Sequence, residues 1–261
     1  NEVRNDPNGT QTQFAAVLFH LPDRSKFIVF RGTDNTVVGW REDFMTSYKE
    51  TTAQKKALQY TEELLSKYRF VSGVWRMGGH SKGGNLAGYT AARLKKPYQD
   101  KIGAIYNNDG PGFAHEVFGD IQEILENELS GKYHKLIPTY SIVGLLFTDR
   151  EVRLHPASKP WLKVVASSAK GAMQHWILTW QVLPDRFEQR SAIESGALTV
   201  LEILEQWVDS ASLEEREAFI ATLFDSMEKK GSSMEEAMSN TPKFYTSMVG
   251  DMISADDRTR R

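Results

Sequence analysis

The sequence predicts an α/β fold in which a mostly parallel sheet is flanked by helices and followed by a helical C-terminal extension. Three observations predict it. Short β-prone runs alternate with helical stripes from Phe14 to Val165, a glycine-bounded serine turn sits between one strand and one helix, and only helical periodicity remains beyond Ser191. With 261 residues, 40% of them hydrophobic, the chain can bury one large core.

In chain order, residues 14–19 and 27–31 are apolar strand candidates joined through the Pro-containing turn Leu21–Ser25, which reads as a hairpin. From Thr52, residues Ala57, Leu58, Tyr60, Leu64 and Leu65 recur at helical spacing up to Tyr68, and Val71–Met77 then reads as a strand. Leu86–Leu94 is helical, Ile102–Tyr106 a strand, Ile121–Leu129 a helix, Leu136–Phe147 a strand region and Trp161–Val165 the last strand. Such alternation implies crossover units, a parallel sheet and helices on both faces. Leu198, Leu201, Leu204 and Val208 form one later helical stripe, and Phe219, Ile220, Leu223, Phe224 and Met227 a second. Ser212 with Glu215, and Ser233 with Glu236, fit capping boxes. These stripes read as core packing in preference to a lid or dimer interface. The expected organisation is a core over residues 1–190 and a helical extension over 191–261 packed on it.

Composition narrows the function. The formal net charge is −2 and no basic block stands out, so nucleic acid is not an expected partner. The absence of cysteine excludes a thiol nucleophile, a disulfide framework and thiolate metal sites. No stretch approaches the roughly 20 apolar residues of a membrane span, and Asn1–Pro7 lacks the pattern of a signal peptide. The first residue is not Met, which points to a truncated N-terminus that has lost early elements of the fold, and a cytoplasmic location is expected.

Chemistry concentrates at Val74–Ala87, where Gly79, Ser81 and Gly83 satisfy Gly-x-Ser-x-Gly with an apolar run before and a helix of small residues after. A serine on so sharp a turn presents its hydroxyl above the sheet edge, and glycines on either side avoid clashes. The following helix directs its N-terminal amides at a developing oxyanion, with the Lys82 N–H as one donor. A phosphate-binding loop would need Gly-Lys-Ser/Thr in that order, whereas here Ser81 precedes Lys82. The pattern is that of the nucleophile in an α/β-hydrolase fold.

A second glycine turn, Phe30-Arg31-Gly32-Thr33, ends an upstream strand and precedes Trp40, Glu42 and Asp43. With Gly-His-Ser-x-Gly-Gly it resembles the class 3 (fungal-type) lipase superfamily. Taken with Gly-Trp-Arg-Glu-Asp-Phe, Asn-Asp-Gly-Pro-Gly-Phe and a later Gln-His, the chain more closely resembles the bacterial Mbeg1-like family of α/β-hydrolases, over roughly Phe14 to Val182. The resemblance implies that Thr33 is the second oxyanion-hole residue, through its N–H and its hydroxyl, and that Asp43 steadies its loop.

Of six histidines, only His155 and His175 follow the later strands, as the Ser–acid–His order of this fold requires. His175 follows the last predicted strand, opens a helix at Trp176 and matches the family's Gln-His, so it is the expected base. His80 adjoins Ser81 on the strand and is expected to point away from it. Two acids compete. Asp109 lies in a Gly/Pro turn after a strand and matches the family's Asp-Gly-Pro-Gly; Asp149 follows the next strand, where lipases place their acid. Aligning Ser141–Gly144 with the lipases' acid motif puts serine at the acid's usual place, and Asp109 is the preferred choice.

The implied activity is hydrolysis of a small-molecule ester or lipid through a Ser81 acyl-enzyme, with no cofactor and no metal. Thioesterase or peptidase activity, or a catalytically silent scaffold, are the alternatives. Phe113, Leu145, Leu146, Phe147, Trp176 and Trp180 are candidates to line an acyl pocket, although such residues more often build core.

Overall fold

Alternating burial along one short strand shows how the sheet is organised: in Lys26–Phe30, residues Lys26, Ile28 and Phe30 are buried while Phe27 and Val29 are half-buried. The structure, a computed structural model, describes residues 2–5, 11–34 and 36–228. Strands β1 (Glu2–Asn5) and β2 (Gln11–Phe14) pair antiparallel as a separate ribbon. The main sheet has seven strands in sequence order: β3 (Ala16–His20), β4 (Lys26–Phe30), β5 (Trp75–His80), β6 (Ile102–Asn108), β7 (Tyr133–Pro138), β8 (Leu162–Val165) and β9 (Gln189–Arg190). β3 pairs antiparallel with β4 through the predicted hairpin, β4 to β8 run parallel, and β9 closes the far edge antiparallel.

Helix α1 (Val37–Met45) is capped by Thr36, and α2 (Thr52–Lys67) opens with a capping box between Thr51 and Gln54. Helix α3 (Lys82–Arg93) lies across β4, β5 and β6, with α2 packed behind it. Ile28, Phe30, Met77, Leu86, Ile105 and Ile137 are buried between these layers. Helix α4 (Ser195–Ser210) sends Ala197 and Leu201 into this core. Helix α5 (Leu213–Glu228) instead packs Ile220, Phe224 and Met227 against Val37 of α1. The Ser212–Glu215 capping box forms at its start, while Ser233 and Glu236 lie outside the described residues. Among the described residues, no helix is long and apolar enough to cross a membrane.

Several boundaries differ from the sequence reading for identifiable reasons. The apolar run 71–77 becomes strand only from Trp75, because Gly73 has φ 119° and turns the chain, leaving Val71 and Val74 exposed. The region 136–147 divides: β7 ends at Pro138, which has no N–H for the ladder, and Val143–Leu145 is a 3-10 turn. β8 is not the last strand. No α-helix opens at Trp176; two short 3-10 turns, Gly171–His175 and Ile177–Thr179, carry the chain back toward β9.

Candidate active site

Ser81 occupies the turn between β5 and α3 with φ 55° and ψ −127°, outside the regions that L-residues ordinarily adopt. Its N–H donates to the Asn108 carbonyl at 2.9 Å, tying the turn to β6. The flanking glycines are required by space. A Cβ on Gly79 would lie 2.4 Å from the Phe30 carbonyl oxygen, and one on Gly83 would lie 2.2 Å from the same atom. β4 and α3 therefore meet closely at the turn, with no room for a side chain at either glycine.

Three side chains from separate parts of the sequence converge here. Ser81 Oγ lies 3.0 Å from His175 Nε2, and His175 Nδ1 lies 2.6 Å from Asp109 Oδ2. Asp109 is fully buried and follows β6 with φ 52°, its N–H donating to Leu136. Its other oxygen accepts from Ser141 Oγ at 2.5 Å. The carboxylate beside His175 thus follows β6, and Ser141, beyond the end of β7, donates to it.

The loop bearing His175 is anchored on both sides. Gln174 is buried; its Oε1 accepts from the Tyr140 N–H and the Thr139 hydroxyl, and its Nε2 donates to Glu194. Trp180 Nε1 donates to the Gln174 carbonyl. His80 is part of this assembly, a role the sequence reading missed. Its Nε2–H donates to the His175 carbonyl at 2.7 Å and the two rings lie 4.7 Å apart. Burial and the adjacent His175 both hold His80 below the ordinary histidine range, which keeps it neutral. Nothing in the sequence signals a contact that spans 95 residues.

The second glycine turn lies against the serine turn: a Cβ on Gly32 would be 2.7 Å from the His80 carbonyl oxygen and 3.7 Å from Ser81 Cβ. Thr33 follows. Its hydroxyl donates to Asp43 Oδ2, so that proton is engaged and the backbone N–H is what Thr33 has to offer. Burial pushes Asp43 up to about 6, against the opposing pull of Lys82 and the Thr33 hydroxyl. Beside it, Lys82 Nζ donates to Glu42 Oε2 at 2.6 Å. This buried pair was also missed; its visible signal was a lysine beside the serine and a glutamate beside Asp43.

Asp149 is not brought to this cluster. It is exposed and caps a short helix, accepting from the Glu151 N–H at 2.7 Å. His155 is likewise exposed. Of the residues considered for an acyl pocket, Phe113, Leu145 and Trp180 are buried core, Leu146 and Phe147 are half-buried, and Trp176 is 56% exposed. A surface groove of about 490 Å³ lined by Glu62, Glu63, Ser66, Lys67, Lys95 and Tyr98 shares no residue with the Ser81 cluster.

The arrangement has the parts for acyl transfer: a hydroxyl within reach of an imidazole, a buried carboxylate on the imidazole's other nitrogen, and a helix N-terminus beside the hydroxyl. Residues 2–225 match the family model described as Mbeg1-like. No curated protein matches the chain.

Proposed function

The chain belongs to the Mbeg1-like family, and from the geometry around Ser81 we propose that it is a serine hydrolase cleaving a carboxylic ester through an acyl-enzyme. The observation that carries this reading is the Ser81–His175–Asp109 relay, with its two contacts of 3.0 and 2.6 Å, built on a strained strand-to-helix turn. Backbone strain at such a turn is stored where chemistry uses it.

In this mechanism His175 Nε2 takes the Ser81 proton as Oγ bonds to the ester carbonyl carbon. The Lys82 and Thr33 N–H groups stabilise the resulting oxyanion. Collapse expels the alcohol, which takes the proton back from His175, and leaves Ser81 acylated. Water then attacks, His175 again holding and returning the proton, and the carboxylic acid departs. Asp109, held by Ser141, orients the imidazole and stabilises its charged form.

Labelling with a fluorophosphonate probe tests this. The intact chain is expected to label, and Ser81→Ala and His175→Ala to lose labelling. A folded intact chain that resists the probe refutes an activated serine and favours a silent scaffold.

A further inference from the structure

Lys82 and Glu42 are two buried opposite charges beside Ser81 that the mechanism leaves unused. Lys82 is 6% exposed and Glu42 fully buried. Lys82 Nζ lies 2.6 Å from Glu42 Oε2, 3.3 Å from Gln13 Oε1 and 3.6 Å from Asp43 Oδ1. Glu42 also accepts from the Thr12 hydroxyl and from the N–H groups of Gln13 and Ala53. A cation next to a nucleophile invites reading as a substrate-binding group. An ammonium so enclosed, with three acceptors around it, is not presented to a substrate.

It reaches instead into α1, which carries Asp43 and through it holds Thr33. One ion pair thus joins the two backbone segments, Ser81–Lys82 and Gly32–Thr33, whose amides must converge on one oxygen. An oxyanion donor works only within about 2.7–3.1 Å of the developing charge, so small relative movement of the two turns is enough to disable the hole.

We propose that the Lys82–Glu42 pair is a positioning device for the oxyanion hole, locking the serine turn to the Thr33 turn from behind; this rests on the serine-hydrolase reading above. Because the negative charge on that oxygen is absent from the bound ester and develops only on the way to the tetrahedral intermediate, loosening the lock lowers kcat and leaves KM in place. A generally weakened fold would instead lower the melting temperature and the fraction of active protein.

The test uses the full chain with p-nitrophenyl acetate and a fluorophosphonate probe, comparing intact protein, Ser81→Ala, Glu42→Gln and the double variant Lys82→Met/Glu42→Gln. Removing one charge strands the other in the interior, whereas the double variant removes both. The folded double variant is expected to lose on the order of 10- to 100-fold in kcat and in labelling rate, with KM within about twofold. Glu42→Gln, which keeps an acceptor for Lys82, is expected to lose less, again in kcat; it decides the matter if the double variant does not fold. Folded variants with kcat and labelling within about twofold of the intact chain overturn the positioning role while Ser81→Ala stays inactive. An intact chain that is folded and inert fails the hydrolase reading itself.

Discussion

Replacing Gly144 with alanine adds one methyl at a position that no nucleophile or base motif marks. That methyl would lie 2.1 Å from Asp109 Oδ1, 2.8 Å from Ile137 Cγ2 and 2.8 Å from Ser141 Oγ. Ordinary contact is about 3.5 Å, so the overlap with the carboxylate is on the order of 1.4 Å. Neither partner can yield easily: Asp109 is held by His175 and Ser141 on its two oxygens and is fully buried. Overpacking of this kind costs about 1–3 kcal/mol of stability, and here it is relieved only by moving the acid. A displaced Asp109 no longer fixes the imidazole, and loss of that orientation in a serine relay costs up to about 10⁴-fold in kcat. Gly144→Ala is therefore expected to stay folded with a melting temperature lower by several degrees and to lose at least about 100-fold in fluorophosphonate labelling rate. Thermal melts read by circular dichroism and labelling time courses on the same preparation measure both. A variant that labels at the intact rate refutes the tight packing of Gly144 on the acid, or the acid's role.

Two further outcomes follow from the charges around the site. Asp43, raised from its ordinary 3.8 to about 6 by burial, holds its proton more tightly folded than unfolded, so its contribution is most favourable below about pH 4 and falls as pH rises through 6, by on the order of 3 kcal/mol. Asp43→Asn carries no charge at any pH and keeps an acceptor for Thr33; its melting temperature relative to the intact chain is expected to rise between pH 4 and pH 7, and a difference that does not change with pH refutes the shift. Asp149→Ala removes only a helix cap, so about 1 kcal/mol of stability is expected to go while labelling stays within about twofold; a large loss of labelling would make Asp149 the acid.

Much of the site was legible because it is local. The turn around Ser81 was readable from the glycines two residues to either side of the serine, although what demands glycine at 79 and 83 is the Phe30 carbonyl of the neighbouring strand β4. The helical stripes of residues 198–208 and 219–227 were readable from periodicity, since one face of each must find apolar neighbours. Which neighbours they found was not: α5 docks on α1, and nothing in either sequence segment selects that partner over the sheet.

The choice of acid shows the limit most clearly. Asp109 and Asp149 both follow strands, and sequence could rank them only through resemblance. Tertiary structure separates them, because β6 delivers Asp109 under His175 whereas Asp149 ends in solvent capping a helix. Ser141 facing Asp109, His80 under the His175 carbonyl, and Lys82 paired with Glu42 are contacts between residues 32, 95 and 40 positions apart. Periodicity and turn chemistry act over a few residues, so the sequence by itself determined the alternation of elements and the serine turn. Register between distant strands, and the packing of loops over their ends, decided which polar groups meet, because a buried polar group is fixed by the partner that satisfies it and not by its neighbours in the chain.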